Sequence, residues 1–200
     1  MAISSSISDF RHGRVPRELR ERQLVELAEQ LFAERGYGGT SMEELASRAG
    51  VTKPMVYELF GSKDGVFRAC VDRAVEQMAR SVAEAVRAEA DPESRVRAGG
   101  LAFLRFAADD RVAWDLMSMG GQFAQQAVDI RRGQAELIHE LMLELAPGGV
   151  DERELEAAAW AVTAAYEGLA HWMREHPDVP VEQVGDWIVA LLMPGLRRFT

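Results

Sequence analysis

Cysteine is nearly absent from this 200-residue chain: Cys70 stands alone. That excludes a disulfide scaffold and fits a reducing compartment. No run of about 18 or more apolar residues occurs, so no transmembrane helix is expected. The first dozen residues hold no apolar stretch of the kind that opens a secretory leader, and a soluble cytoplasmic protein is the expectation. Alternating strand patterns and internal repeats are missing. Histidine is scarce, at positions 12, 139, 171 and 176, and His171 and His176 lie off a common helix face with no cysteine nearby. No metal-ligand spacing, Ser/His/Asp order or P-loop is present, and Gly38-Gly39 and Gly99-Gly100 do not form phosphate motifs. The reading is therefore of a protein that is not an enzyme and carries no cofactor and no metal.

Apolar residues make up 48% of the chain, enough for a packed core, so disorder as the main state is excluded. The formal net charge of −9 hides an asymmetry. Residues 1–70 hold ten basic and ten acidic side chains, and the whole acidic excess lies beyond Cys70. Arg11, Arg14, Arg17, Arg20 and Arg22 crowd the N-terminal end with His12, and the only two lysines are Lys53 and Lys63. An acidic protein can still bind nucleic acid when its basic groups share one face.

Residues 1–16 read as a flexible basic arm. From Glu18 the pattern turns helical, with Leu24, Leu27, Ala28, Leu31 and Phe32 on one stripe and Gly36 suited to a left-handed end. Thr40 with Glu43 reads as a capping box for a short helix carrying Met42, Leu45, Ala46 and Ala49 inward, stopped at Gly50. Thr52 reads as the next N-cap, with Pro54 tolerated in the first turn, and Ser62 as the one after. A long amphipathic helix then runs from Val66 to about Ala90. Further helices start at Asp91-Pro92, around Trp114, near Phe123, at Asp151 (with Glu154, a second capping box) and near Pro180. Pro194 is expected to kink or shorten the last one. The fold class is all-α, with about nine helices.

The segment SMEELASRAGVTKPMVYELF, residues 41–60, is two short helices joined by a tight turn at Gly50, a helix-turn-helix. Its second helix is too short to stand alone and must be propped by its neighbours. Residues 20–67 go further. Ala28 to Phe32, Gly36-Tyr37, Thr40, Leu45-Ala46, Ala49-Gly50-Val51, Tyr57, Phe60 and Lys63 together resemble the DNA-binding domain of TetR-family transcriptional regulators.

The resemblance implies an N-terminal three-helix DNA-binding domain over residues 17–62 and a C-terminal helical ligand-binding and dimerisation domain over residues 63–200. It implies DNA contacts at Thr40, Thr52, Lys53, Met55, Tyr57 and Lys63. Thr40 would cap the second helix and reach a phosphate through its hydroxyl or the helix N-terminal amides. Lys53 would donate to guanine or stand as a solvated charge, and Met55 would touch a thymine methyl. Tyr57 and Lys63 would meet phosphates. Glu58 departs from that pattern: its carboxylate either turns toward the protein or accepts from a cytosine amine.

In the C-terminal part, Phe103, Phe106, Trp114, Met117, Met119, Phe123, Met142, Trp160 and Tyr166 read either as core or as the lining of an apolar cavity. Thr163, Tyr166 and Glu167 sit in the small, apolar run 157–170 and need partners if buried. A ligand or a second subunit could supply them. His139 and His171 read as structural. The resemblance further implies a homodimer through the last two helices, a palindromic double-stranded DNA operator and a small-molecule effector. In that picture the effector releases a repressor as the long helix 63–90 swings. A helical ligand-binding or protein-interaction bundle without DNA binding, and an activator, are the alternatives.

Overall fold

The computed structural model describes residues 16–118, 123–145 and 150–196. Among them are nine helices and no strand: α1 (Arg17–Gly39), α2 (Met42–Ala49), α3 (Lys53–Phe60), α4 (Lys63–Arg87), α5 (Pro92–Asp109), α6 (Arg111–Met117), α7 (Ala124–Leu145), α8 (Glu152–Glu175) and α9 (Val181–Leu196). The arm with Arg11, His12 and Arg14, together with Met119, Pro147-Gly148-Gly149 and Phe199, lies outside the described residues. Contacts divide the chain into two compact units at Arg73/Ala74, ten residues further along than the start of α4. The first turns of α4 fall in the N-terminal unit because Val66, Phe67, Cys70 and Val71 are buried in its core.

In the N-terminal unit the expected stripe of α1 is buried: Leu24, Val25, Ala28, Leu31 and Phe32. Each large apolar side chain removed from water this way stabilises by roughly 1.5–3 kcal/mol. Phe32, Tyr37 and Phe67 form one ring cluster, with centroids 5.5–5.8 Å apart. The Cys70 thiol points at the Val25 carbonyl, 3.7 Å away, and burial pushes its pKa up, so it is an inert core group. Gly36 breaks the helical path of α1 at φ 68°, ψ 173°, a region glycine enters without a Cβ clash.

The cap of α2 differs from the sequence expectation. Ser41, not Thr40, is the N-cap: its hydroxyl accepts from the Glu44 N–H at 3.2 Å. Thr40 is buried and donates backwards, to the carbonyls of Gly36 (2.9 Å) and Leu31 (3.2 Å). Both Thr40-x-x-Glu43 and Ser41-x-x-Glu44 satisfy the capping pattern, and the unpaired carbonyls at the end of α1 claim the first hydroxyl.

In the C-terminal unit, α7 pairs extensively with α8, and α5 packs on both α8 and α9. Aspartates start three of its helices. Asp91 accepts from the Ser94 N–H at 2.9 Å, and Asp110 from the Ala113 N–H at 3.0 Å. Asp151 accepts from the Arg153 N–H at 2.9 Å, one residue short of the Glu154 position that a capping box would use. The core cluster includes Leu104, Trp114, Met142, Leu155, Val162, Tyr166, Val184 and Ile188. Gly100 lies flat against Tyr166: a Cβ there would come within 1.9 Å of the phenol oxygen. Helix α9 continues through Pro194 to Leu196, so the proline sits in its last turn rather than ending the helix earlier.

Candidate nucleic-acid interface

Helix α3 owes its position to a single fully buried side chain, Val56, and to the turn before it. Gly50 adopts φ 65°, ψ 33°, which lets the Val51 N–H reach back to the Ala46 carbonyl at 3.0 Å. Leu45, Ala46 and Ala49 of α2 are buried. At the far end, Gly65 passes so close to α3 that a Cβ would stand 1.9 Å from the Phe60 carbonyl oxygen. Ser62 caps α4 through the Gly65 N–H at 3.1 Å, as its place in the sequence suggests.

With Val56 inward, the remaining side chains of α3's first turns face out. Thr52, Lys53, Pro54, Met55, Tyr57 and Glu58 are all exposed, Met55 at 39% and Tyr57 at 42%. Thr52 is the N-cap by backbone conformation, yet its hydroxyl makes no cap bond. Lys53 forms an ion pair with Glu43 of α2, and its ammonium stands 5.7 Å from the centre of the Tyr57 ring. The hydrogen bond to Glu43 raises the Lys53 pKa, and the same bond lowers the Glu43 pKa. Glu58 points to solvent, not into the protein. Lys63 lies over the Tyr37 ring at 4.3 Å, and the Tyr37 hydroxyl donates to Asp64.

The sequence reading missed a charged lattice behind this surface. Arg48 bridges Glu34 (2.8 Å) and Glu44 (3.4 Å), and Arg35 pairs with Glu44 at 2.7 Å, tying α1 to α2. Hydrogen bonding to Arg48 lowers the Glu34 pKa. Arg48 and Glu44 are an i, i+4 pair within α2, whereas the spacing of Glu34 to Arg48 and of Arg35 to Glu44 carries no signal, because those partners come from different helices. Arg17 and Arg22 pair with Glu21 and Glu26 one turn on, and Arg20 donates to Gln23 at 2.7 Å, so the described arginines near the arm are engaged along α1 itself.

The ten candidate pocket residues fall into three groups. Phe103 meets Trp114 at 5.4 Å and Tyr166 at 6.2 Å, and Trp114, Met142 and Tyr166 belong to the buried core cluster. Burial pushes the Tyr166 phenol up to about 12. Met117 and Phe123 are also buried. Phe106 and Trp160 are half-buried, Phe106 beside an open groove shared with Gln77, Arg80, Ser81, Glu84 and Asp110. Thr163 and Glu167 find partners inside the chain: Thr163 donates to the Ala159 carbonyl at 2.9 Å, and Glu167 pairs with Arg131 at 2.5 Å. The indole N–H of Trp114 is buried without a partner, as are Nε2 of His139 and Oε1 of Gln134. His171 is exposed beside the Trp114 ring. Ala157, Ala161, Ala164 and Gly168 leave an exposed small-residue stripe on α8. On α9, Leu191 (76%) and Trp187 (50%) are exposed, and the Trp187 ring meets Trp172 of α8 at 6.3 Å. Among the described residues no group of acidic, histidine or cysteine side chains gathers as a metal site, and no helix is long and apolar enough to cross a membrane.

An all-helical chain with a propped helix-turn-helix at its N-terminal end defines a class: helical proteins built on a DNA-binding module. Residues 24–70 match the family model described as bacterial regulatory proteins, tetR family. It is 37% identical over 107 residues to the HTH-type transcriptional activator FasR of Mycolicibacterium smegmatis, covering 54% of this chain and 49% of that protein. The chain spans about half the length of the curated relatives it matches. A solved TetR-like transcriptional regulator from Rhodococcus sp. RHA1 shares the fold over 92% of this chain and 99% of its own, at 28% identity and TM-score 0.70. The fold also matches the transcriptional regulator FadR of Bacillus subtilis, solved in complex with stearoyl-CoA, at 16% identity and TM-score 0.70 over 86% and 96% of the two chains.

Proposed function

We propose that this protein is a transcriptional regulator that binds a palindromic DNA operator as a homodimer and is released by a small apolar or amphipathic effector. The observation that carries the reading is helix α3, held by Val56 while Thr52, Lys53, Met55 and Tyr57 stand exposed along it. An eight-residue helix with so little of its surface buried stabilises little by itself; its outward face has a use only against another surface. The residue types suit a major groove. Thr52 has a free hydroxyl for a phosphate or a base edge, Lys53 donates to guanine acceptors, and Met55 covers a thymine methyl. Tyr57 and Lys63 take phosphates. Because the Thr40 hydroxyl is spent on the end of α1, the phosphate contact at α2 passes to its N-terminal amides, where the helix dipole favours an anion.

Dimerisation supplies the second half-site. The Ala/Gly stripe of α8 and exposed Trp187 and Leu191 of α9 support an interface built on these two helices. Two recognition helices about 34–36 Å apart meet successive major grooves. The unpartnered Trp114 N–H inside an aromatic core supports an effector that is largely apolar with a hydrogen-bond acceptor. Release follows only as far as the effector prefers a state with lower DNA affinity. A dimer covering a promoter represses by occupancy. Similarity to a protein named an activator favours the second reading, activation from a site beside the promoter.

Selection from a random duplex library tests this. An enriched palindrome is expected, bound more weakly as salt rises. Binding by the Tyr57→Ala/Lys63→Ala double variant should fall at least tenfold with its helix content unchanged. Leu191→Asp should shift the mass in sedimentation from dimer to monomer and weaken operator binding. No enrichment from a folded dimer, with or without candidate acyl effectors, would overturn the reading in favour of a helical bundle that binds no DNA. A reporter with the operator over or upstream of the promoter separates repression from activation.

A further inference from the structure

The DNA-facing side of α3 has one cation among its exposed residues, Lys53, and that cation is held by a carboxylate of the neighbouring helix. Glu43 belongs to the first turn of α2 and Lys53 is the first residue of α3, so the pair spans the helix-turn-helix. Both side chains stay exposed, Lys53 at 44% and Glu43 at 62%, so the bond is exchangeable. The ammonium has three donor positions, and one goes to Glu43. Two remain, which matches the two acceptors, O6 and N7, that guanine offers in the major groove. The Tyr57 ring, 5.7 Å from the ammonium, borders it on α3.

We infer that Glu43 is a positioning residue for base readout: it keeps the Lys53 ammonium over the base edges and off the phosphate backbone, so that Lys53 rewards guanine and adds little to binding of other sequences. The inference rests on the DNA-binding reading above. A flexible lysine left free migrates to the nearest phosphate and contributes sequence-independent affinity. A carboxylate beside it offers a competing partner and repels the backbone, so the non-specific contact is disfavoured. Because the ion pair is exposed, the effect is modest: up to about fivefold in affinity.

The experiment uses the full-length dimer, its selected operator, operators with single base pairs exchanged, and a random duplex. Four proteins are compared: wild type, Glu43→Gln, Lys53→Met and the double variant. Lys53→Met should identify the base pair that depends on Lys53. Glu43→Gln should bind the random duplex a few-fold more tightly, with its salt dependence steeper by about one phosphate contact. Discrimination at the Lys53-dependent base pair should fall by a similar factor, and in the Lys53→Met background Glu43→Gln should no longer alter it. A merely structural role would lower the unfolding temperature without changing base discrimination. The inference is overturned if Glu43→Gln strengthens operator and random duplex equally, if its effect on discrimination persists without Lys53, or if no base pair depends on Lys53. Failure of the wild-type dimer to bind any duplex overturns the DNA-binding reading itself, and this inference with it.

Discussion

The two units differ in where the side chains of their candidate sites stand. The N-terminal unit turns Thr52, Lys53, Met55, Tyr57 and Glu58 outward along one short helix and keeps an arginine–glutamate lattice on the surface behind it. In the C-terminal unit, Thr163 and Glu167 find partners inside the chain: Thr163 bonds its own helix and Glu167 pairs with Arg131 of α7. That unit closes an aromatic core of Phe103, Trp114 and Tyr166 around one unpartnered indole N–H. The first unit presents a surface whose chemistry is readable residue by residue. The second presents a packed interior in which a binding role depends on what can be displaced.

The largest effect that sharpens this contrast is expected at Phe67. Its ring is fully buried and meets both Phe32 and Tyr37. Phe67→Ala should cost about 3–5 kcal/mol, read by thermal or urea unfolding, and should abolish duplex binding because α1 and α4 lose the packing that props the helix-turn-helix. The corresponding test of the second unit is Gly100→Ala, whose Cβ would meet the Tyr166 ring. A loss of about 1–3 kcal/mol is expected, with a change in the near-ultraviolet signal of Tyr166 and Trp114. If Gly100→Ala instead proves neutral, Tyr166 sits in a loosely packed space, and the difference drawn between the units weakens.

Much of the N-terminal unit was legible beforehand because its signals are local. A 3.6-residue stripe, glycines at positive φ and a helix-turn-helix spacing each span a few residues, and Gly36 and Gly50 occupy the places those signals assign. The start of α2 was misread by one residue because two overlapping capping patterns are locally equivalent, and only the carbonyls at the end of α1 distinguish them. The Glu43–Lys53 pair was hidden for the same reason: it joins two helices across a turn. In the C-terminal unit the helices were legible, but the partner of Glu167 was not. Arg131 is on another helix, and no local period connects them. The same ambiguity left core and pocket unresolved for Phe103, Trp114 and Tyr166, since helical spacing places an aromatic inward without saying whether a space adjoins it.

The misread cap supports a smaller test. Ser41→Ala should cost about 1 kcal/mol through loss of the bond to the Glu44 N–H. Thr40→Val, which keeps the volume of a buried side chain but removes its hydroxyl, should cost about 1–2 kcal/mol by leaving the Gly36 carbonyl without its partner. If Thr40→Val is neutral and Ser41→Ala is not, the end of α1 relaxes without its hydroxyl.

The smallest effect distinguishes how the two units start their helices: hydroxyls at Ser41 and Ser62 in the first, carboxylates at Asp91, Asp110 and Asp151 in the second. Only a carboxylate cap titrates in acid. Asp91 is held below its ordinary value by the side chain and then the N–H of Ser94. Its folded pKa is depressed, so its contribution to stability is complete above about 4, the unfolded range, and is lost as pH falls through the lower folded value. Asp91→Asn keeps a good capping oxygen but removes the charge that favours a helix N-terminus. The stability difference between wild type and Asp91→Asn, measured by urea unfolding at a series of pH values, should therefore be constant near neutrality and shrink below pH about 4. Ser41→Ala should show no such dependence over the same range. A difference for Asp91→Asn that is independent of pH would mean that the cap acts through its geometry alone, and the contrast between hydroxyl and carboxylate helix starts would carry no electrostatic consequence.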